Sequence, residues 1–392
     1  MKTELINFEL WYSYDDEHDI EKINNLRISL VLKDIERAVK IRQVDTIVGL
    51  LLIDGFLYST TIYESLAVIE NEAKKLGIKN LYLLPGMCGL EKYQEEIDKR
   101  NLSYKIITGY DFAAKQMYLS YKNQPNIKWQ SNTDKFLFLG GVPSRANRIG
   151  LLYRYYKENM LDNCEWTFFP PWTERDKQWC RNYLNICTDQ EYNEFIKFSD
   201  RAIDSKYANS KCYSTFSGKE IADTNILQTE WIKDPSYIDP DIYKTTSLSI
   251  ITKYEYDNAT SHNFLGEKTW RAIINNHPFI LADNKPGERF DYMKSLGINT
   301  FDDFTITNYG YIVDEEERLD SVVENTKYFM SLINTHKNEI DTVIKHNYNI
   351  FKKVCKNNKE IEMLLKHYFN TSKESMKILQ AKGYDKFIRV PK

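Results

Sequence analysis

None of the six cysteines, at 88, 164, 180, 187, 212 and 355, forms a Cys-x-x-Cys pair or a regular series. The six histidines are scattered, with no His-x-x-x-His arrangement. Those absences exclude a zinc ribbon or a dithiol redox motif and leave reduced core or surface thiols as the expected state. No run of about 18 apolar residues exists, so no membrane-spanning helix is expected. The start, Met1-Lys-Thr-Glu-Leu-Ile-Asn-Phe-Glu, lacks the basic-then-apolar layout of a signal peptide. A cytoplasmic protein is expected, in the host cytoplasm if the source is viral. There is no internal repeat and no low-complexity tract.

What is present fits two domains of ordinary size within 392 residues. The net charge of −3 conceals an asymmetry. Residues 343–392 hold twelve Lys or Arg against four Asp or Glu, a balance of +8 that leaves the preceding 342 residues at −11. Abundant Asn, Lys, Ile and Tyr suit an AT-rich coding genome, such as that of a virus, a phage or a low-GC bacterium.

Apolar periodicity predicts a helix over Ile20 to Arg42 and then three βα-like units. Thr46-Ile-Val-Gly-Leu-Leu-Leu-Ile53 is a continuous apolar run, as a strand buried on both faces requires. Asn80-Leu-Tyr-Leu-Leu84 and Tyr104-Lys-Ile-Ile107 are the next strands, with helices at Ile62–Lys75 and Glu91–Lys99 between them. The polar stretch from Lys122 to Asn132 is the linker candidate. A second series opens with the strand Phe136–Leu139 and the helix Arg148–Lys157, followed by helical or loop-rich aromatic material to about Asp223. A strand ending at Glu255, a short helix, a strand from Pro278 and a helix Glu288–Leu296 closed by Gly297 complete it. Helices are expected from Glu315 onward. Alternation of this kind implies α/β architecture with parallel sheets.

The segment Asn263-Phe-Leu-Gly-Glu-Lys-Thr-Trp-Arg-Ala-Ile-Ile-Asn-Asn-His-Pro-Phe-Ile-Leu-Ala-Asp283 carries the strongest functional signal. A helix opening near Gly266 presents unpaired N–H groups, which favour a phosphate. Lys268 in its first turn adds a full positive charge, and Glu267 can accept hydrogen bonds from sugar or ribose hydroxyls. The structural alternative is a glutamate that offsets the helix dipole above an apolar stripe of Trp270, Ile273 and Ile274.

This segment resembles the donor-binding region of the fucosyltransferase-like glycosyltransferases. There, a strand ending in an aromatic–acidic pair, here Tyr254-Glu255, leads to an aromatic-x-x-Glu-Lys element, here Phe264-Leu-Gly-Glu267-Lys268. Phe136-Leu-Phe-Leu-Gly-Gly-Val-Pro-Ser-Arg-Ala-Asn-Arg-Ile-Gly-Leu-Leu-Tyr153 matches a second element: strand, small-residue turn, and an arginine opening a helix. The likeness covers roughly residues 133–315 in pieces. Phe264 stands where a tyrosine is frequent and Gly266 where threonine or serine is frequent.

The resemblance implies the GT-B architecture of two Rossmann-like domains with a C-terminal helical extension. Its expected parts are an acceptor domain at 1–125, a nucleotide-sugar donor domain at 133–330 and a basic helical extension at 331–392. It further implies a UDP- or GDP-linked sugar as co-substrate, with no cofactor beyond it. Arg148 and Lys268 are the expected partners of the diphosphate, with Arg145 competing for the arginine's place. The retaining signature, a second glutamate eight positions after Glu267, is absent because position 275 is Asn. That favours an inverting single displacement, which needs one general base. Asp54 at the end of the most hydrophobic strand is the first choice, Asp111 the second and Glu64 the third. A strand-terminal Asp also serves as a helix cap.

No metal site is expected. Asp239-Pro-Asp241 lies in a loop and Asp15-Asp-Glu-His-Asp19 precedes any expected strand, so both are read as caps or solvated turns. Trp166-Thr-Phe-Phe-Pro-Pro-Trp172 is either a wall of the nucleotide pocket or loop packing, and His277 is structural. The acceptor hydroxyl belongs to a glycan or to a hydroxymethylated DNA pyrimidine. In the basic tail, apolar residues at helical spacing favour an amphipathic helix docked on its own protein over a DNA contact. A monomer or homodimer without integral membrane association is expected. The non-enzymatic alternative is a nucleotide-sugar or glycan-binding module without turnover.

Overall fold

Helices alternate with parallel strands throughout the computed structural model, which describes residues 2–8, 17–51, 60–85, 90–107, 127–141, 146–168, 188–199, 240–253, 265–283 and 286–356, with isolated positions at 114–121 and 178–184. The described residues fall in two compact units, one drawn from Met1–Lys115 and the other from Gln116–Glu255 and Leu265–Asn357.

In the first unit, β1 (Thr3–Asn7), β2 (Thr46–Leu51), β3 (Asn80–Pro85) and β4 (Lys105–Ile106) form one parallel sheet in chain order. The connecting helices are α1 (Glu17–Arg42), α2 (Thr60–Lys75) and α3 (Leu90–Lys99). Each connection steps the same way, so right-handed crossovers place all three helices on one face. The core there joins Val31 and Ile35 of α1, Leu66 and Ile69 of α2 and Ile97 of α3 to Ile47, Leu81 and Leu83 of the strands. Phe8 lies across Gly49, where a Cβ would come within 2.6 Å of its ring, so β2 has a glycine because an aromatic ring crosses it. Gly77, at φ +86°, closes α2, with its N–H donating to Lys74 O and that of Ile78 to Ala73 O. Buried Glu70 accepts from the Ser103 N–H at 2.9 Å and from the Ser103 hydroxyl at 2.7 Å, and pairs with Lys74. Burial raises its carboxyl pKa, but those hydrogen bonds outweigh burial and the net shift is downward.

β1 corrects the sequence reading, which placed no strand before the acidic patch Asp15–Asp19. It is an edge strand whose first three residues are exposed or half-buried, and Thr-Glu-Leu-Ile-Asn gives too little apolar alternation to announce it.

The second unit holds β5 (Phe136–Gly141), β6 (Cys164–Phe168), β7 (Leu248–Lys253) and β8 (Phe279–Asp283), all parallel, in the order β6-β5-β7-β8. Its helices are α4 (Ala146–Lys157), α5 (Asp189–Ser199), α6 (Glu267–Ile274), α7 (Glu288–Ser295), α8 (Glu315–Leu332) and α9 (Lys337–Lys356). Here too an edge strand, β6, occupies sequence read as helix or loop. Its Trp166 stacks on Phe198 of α5 with centroids 5.5 Å apart, so this part of the aromatic cluster is strand packing. The expected linker is partly built into this unit: Ile127 and Trp129 are buried, and Trp129 Nε1 donates to Ser247 O at 2.9 Å. Gly297, at φ +82°, closes α7 as expected.

Two helices complete the unit. Arg154 of α4 donates to Asp320 (2.6 Å) and Glu316 (2.6 Å) of α8, holding these helices together. Phe351 of α9 packs on Trp270 of α6 at 5.6 Å, and the Asn347 side chain bonds both the N–H and the carbonyl of Asn299. The described part of the basic tail is therefore an amphipathic helix docked on its own protein. Residues 357–392, with Tyr368, Phe369, Tyr384 and Phe387, lie outside the described residues. No helix among the described residues is long and apolar enough to cross a membrane.

His277, one residue before Pro278, is buried and structural. Its Nε2 donates to Thr246 O at 2.8 Å, which leaves Nδ1 to accept from the Ser249 hydroxyl at 2.7 Å. Burial disfavours the imidazolium and pushes the pKa from 6.5 down to about 4. Above pH 6.5 the ring is neutral folded or unfolded, and nothing is lost. As pH falls from 6.5 towards 4 the unfolded chain takes up a proton that the folded one refuses, so stability declines. Urea unfolding should show a loss on the order of 2 kcal/mol between pH 7.5 and 5 attributable to this ring. A His277→Gln variant with the same pH slope as the parent would show the assignment to be wrong.

Candidate functional site

The order β6-β5-β7-β8 contains a reversal. From β5 the chain runs through α4 to β6 on one side, and β7 then lies on the other side of β5, leading through α6 to β8. Right-handed connections in opposite directions place α4 and α6 on opposite faces. The packing agrees: Phe136 and Phe138 meet Tyr155 of α4, while Leu137, Leu139, Ser249 and Ile251 line a space shared with Ala272 of α6. Beyond the carboxyl ends of β5 and β7 lies the topological switch point, the crevice where ligands of such sheets bind. Both α4 and α6 start there.

At α6 the N-cap is Gly266, in extended conformation (φ −69°, ψ 169°), with no side-chain cap. Its carbonyl accepts from the Thr269 N–H at 3.1 Å. Glu267 and Lys268 occupy the first turn and are half-buried, while Thr269, Trp270, Ala272 and Ile273 fill the buried face that seats the helix. The Lys268 ammonium donates to Leu139 O at 3.2 Å, so its charge is directed to the carboxyl end of β5 and not to bulk solvent. A cavity of about 20 Å³ beneath it is lined in part by Lys268 and by buried Arg271.

At α4 the first turn is Ala146, Asn147 and Arg148. Asn147 is fully buried and its Nδ2 donates to Ala282 O of β8 at 3.1 Å, tying the helix start to the sheet. Arg148 follows, half-buried. Ile149, Leu151 and Leu152 anchor the rest of the helix in the core. On β7 the hydroxyl of Thr252, opposite Ala282 in register, is buried with no hydrogen bond among the described residues. Asp283 ends β8 and pairs with Arg289 at 2.5 Å, the two side chains being 1% and 2% exposed. Arg318 of α8, also buried, donates to Asp283 O at 2.9 Å and to Val313 O at 3.0 Å.

Of the residues singled out in the sequence, Arg148, Gly266, Glu267 and Lys268 stand at this edge. Glu64 is exposed on α2 of the first unit. Asp54, Asp111, Arg145, Tyr254, Glu255 and Phe264 lie outside the described residues, as do Asp239 and His262. Asp241 sits exposed in a 3₁₀ turn (Pro240–Lys244) and pairs with Lys244 at 2.6 Å, the solvated turn expected of it. Sequence reasoning missed Asn147, Arg271, Asp283, Arg289 and Arg318. A signal existed for two of them: Arg271 lies four residues after Glu267 on the same helix, and Asp283 ends an apolar strand.

No protein-family model matches this chain, and no curated protein matches it. Among solved structures, it is similar to that of the DNA-modifying enzyme β-glucosyltransferase determined with and without uridine diphosphoglucose. Sequence identity is 10%, the match covers 94% of this chain and 100% of the other, and the TM-score is 0.39. T4 phage BGT in complex with its UDP-glucose substrate is similar at 10% identity, covering 94% and 99%, with a TM-score of 0.37.

Proposed function

We propose that this chain is an inverting, metal-independent glycosyltransferase that moves a sugar from a UDP- or GDP-linked donor to a hydroxyl acceptor. The observation that carries the reading is the pair of helix starts at the switch point, α4 with Arg148 and α6 with Lys268. In the reaction the acceptor oxygen bonds to the anomeric carbon as the bond from that carbon to the diphosphate oxygen breaks. The electron pair leaves on the diphosphate, whose growing charge meets the helix N-termini, the lysine and the arginine. A guanidinium can grip two phosphate oxygens and an ammonium acts as a point charge. The acceptor proton passes to one of Asp54, Asp111 or Glu64. Glu267 is positioned in sequence to accept from donor hydroxyls. The acceptor is a glycan hydroxyl or the hydroxymethyl group of a modified DNA pyrimidine.

The test is a screen of UDP- and GDP-sugars for hydrolysis and transfer, run in excess EDTA. Turnover should persist with chelator, and the product anomer should be opposite to that of the donor. Activity lost in EDTA and restored by Mn or Mg would overturn metal independence. Saturable donor binding with no turnover towards glycan or hydroxymethylated DNA would leave a binding module. Neither binding nor turnover with any donor would remove the glycosyltransferase reading.

A further inference from the structure

A second concave site lies in the same unit, at the opposite end of the sheet. Asn276 immediately precedes His277-Pro278 and β8, and Ile127 to Trp129 lie shortly before β5, so these residues mark the amino edge. With one side of α9 they line a groove of about 370 Å³. That volume falls within the range of small-molecule pockets.

The groove is apolar at its base and cationic at its rim. Ile127, Trp129 and Ile344 are 5%, 5% and 3% exposed and form the base. Trp129 is held by its bond to Ser247 O, and Asn276 Nδ2 donates to Ile127 O at 2.9 Å, so this wall is preformed. At the rim, Lys345 is neutralised by Asp341. Lys128 and Lys352 have no carboxylate partner among the described residues; the Lys352 ammonium sits 4.3 Å from the Tyr348 ring centroid. Its charge is thereby directed across an aromatic surface that also lines the groove.

An apolar floor beneath two cations without a carboxylate partner among the described residues fits one chemistry. We infer that this groove binds a small amphipathic organic anion, with its apolar or aromatic body on Trp129 and Ile344 and its acid group between Lys128 and Lys352. The site is separate from the switch-point crevice.

The probe is 1-anilinonaphthalene-8-sulfonate, titrated by fluorescence and calorimetry against the full chain with and without added UDP or GDP. One saturable equivalent is expected. The exposed double charge reversal Lys128→Glu/Lys352→Glu should weaken it by about tenfold or more, since two charge contacts are lost. The thermal melt of the variant should match that of the parent. Uncharged 1-anilinonaphthalene should bind at least about tenfold more weakly than the sulfonate. Absence of saturable binding, equal affinity in the charge-reversed variant, or equal affinity for the uncharged analogue would each overturn the assignment.

Discussion

Lys268→Ala should lower kcat by about 10²–10³, the usual loss when one preorganised charge at a developing anion is removed. The lysine stands in the first turn of a helix seated by buried Trp270, Ala272 and Ile273, so the scaffold survives truncation of a half-buried side chain. Its hydrogen bond to Leu139 O contributes little to stability by comparison. Because leaving-group charge grows during the reaction, the loss should fall on kcat more than on KM. Lys268→Arg should recover part of the rate by restoring the charge. Circular dichroism and melting distinguish this outcome from unfolding. A variant with parental kcat on a confirmed donor would mean that Lys268 does not face the leaving group.

The second large effect is on stability. Arg289→Met should cost the second unit about 3–5 kcal/mol, because it removes one side of a buried ion pair. The pair is almost wholly excluded from solvent, and Asp283 also offers its carbonyl to Arg318 at the end of β8. Asp283→Leu combined with Arg289→Met should regain much of the loss, since replacing both partners leaves neither charge buried. Urea midpoints followed by tryptophan fluorescence measure both variants. If the single variant shifts the midpoint by no more than an exposed arginine replacement does, solvent or another group compensates Asp283.

Strands buried on both faces were legible in the sequence. Thr46–Ile53 announced itself as a continuous apolar run, and five of the six residues of β2 are buried, while Phe136–Leu139, read as a strand, is buried throughout between α4 and α6. The edge strands β1 and β6 were not legible. In Thr3–Asn7 only Ile6 and Asn7 are buried, and Cys164–Phe168 draws its packing from a helix far ahead in the chain. For the site, the helix starts at Arg148 and Lys268 were readable because capping chemistry and charge are local properties. The supports around them were not. Asn147 reaches Ala282 and Arg318 reaches Asp283 across long sequence intervals, and no local pattern encodes such a bond.

Titrating UDP and GDP into the parent chain, Arg148→Ala and Lys268→Ala by isothermal calorimetry decides whether the two helix starts hold the donor diphosphate. One equivalent of at least one diphosphate should bind, more tightly than the matching monophosphate. Each substitution should weaken it by about 10–100-fold, the value of one charge-assisted contact. Diphosphate binding with parental affinity in both variants, or no binding of either diphosphate, would contradict the placement of the donor at the switch point.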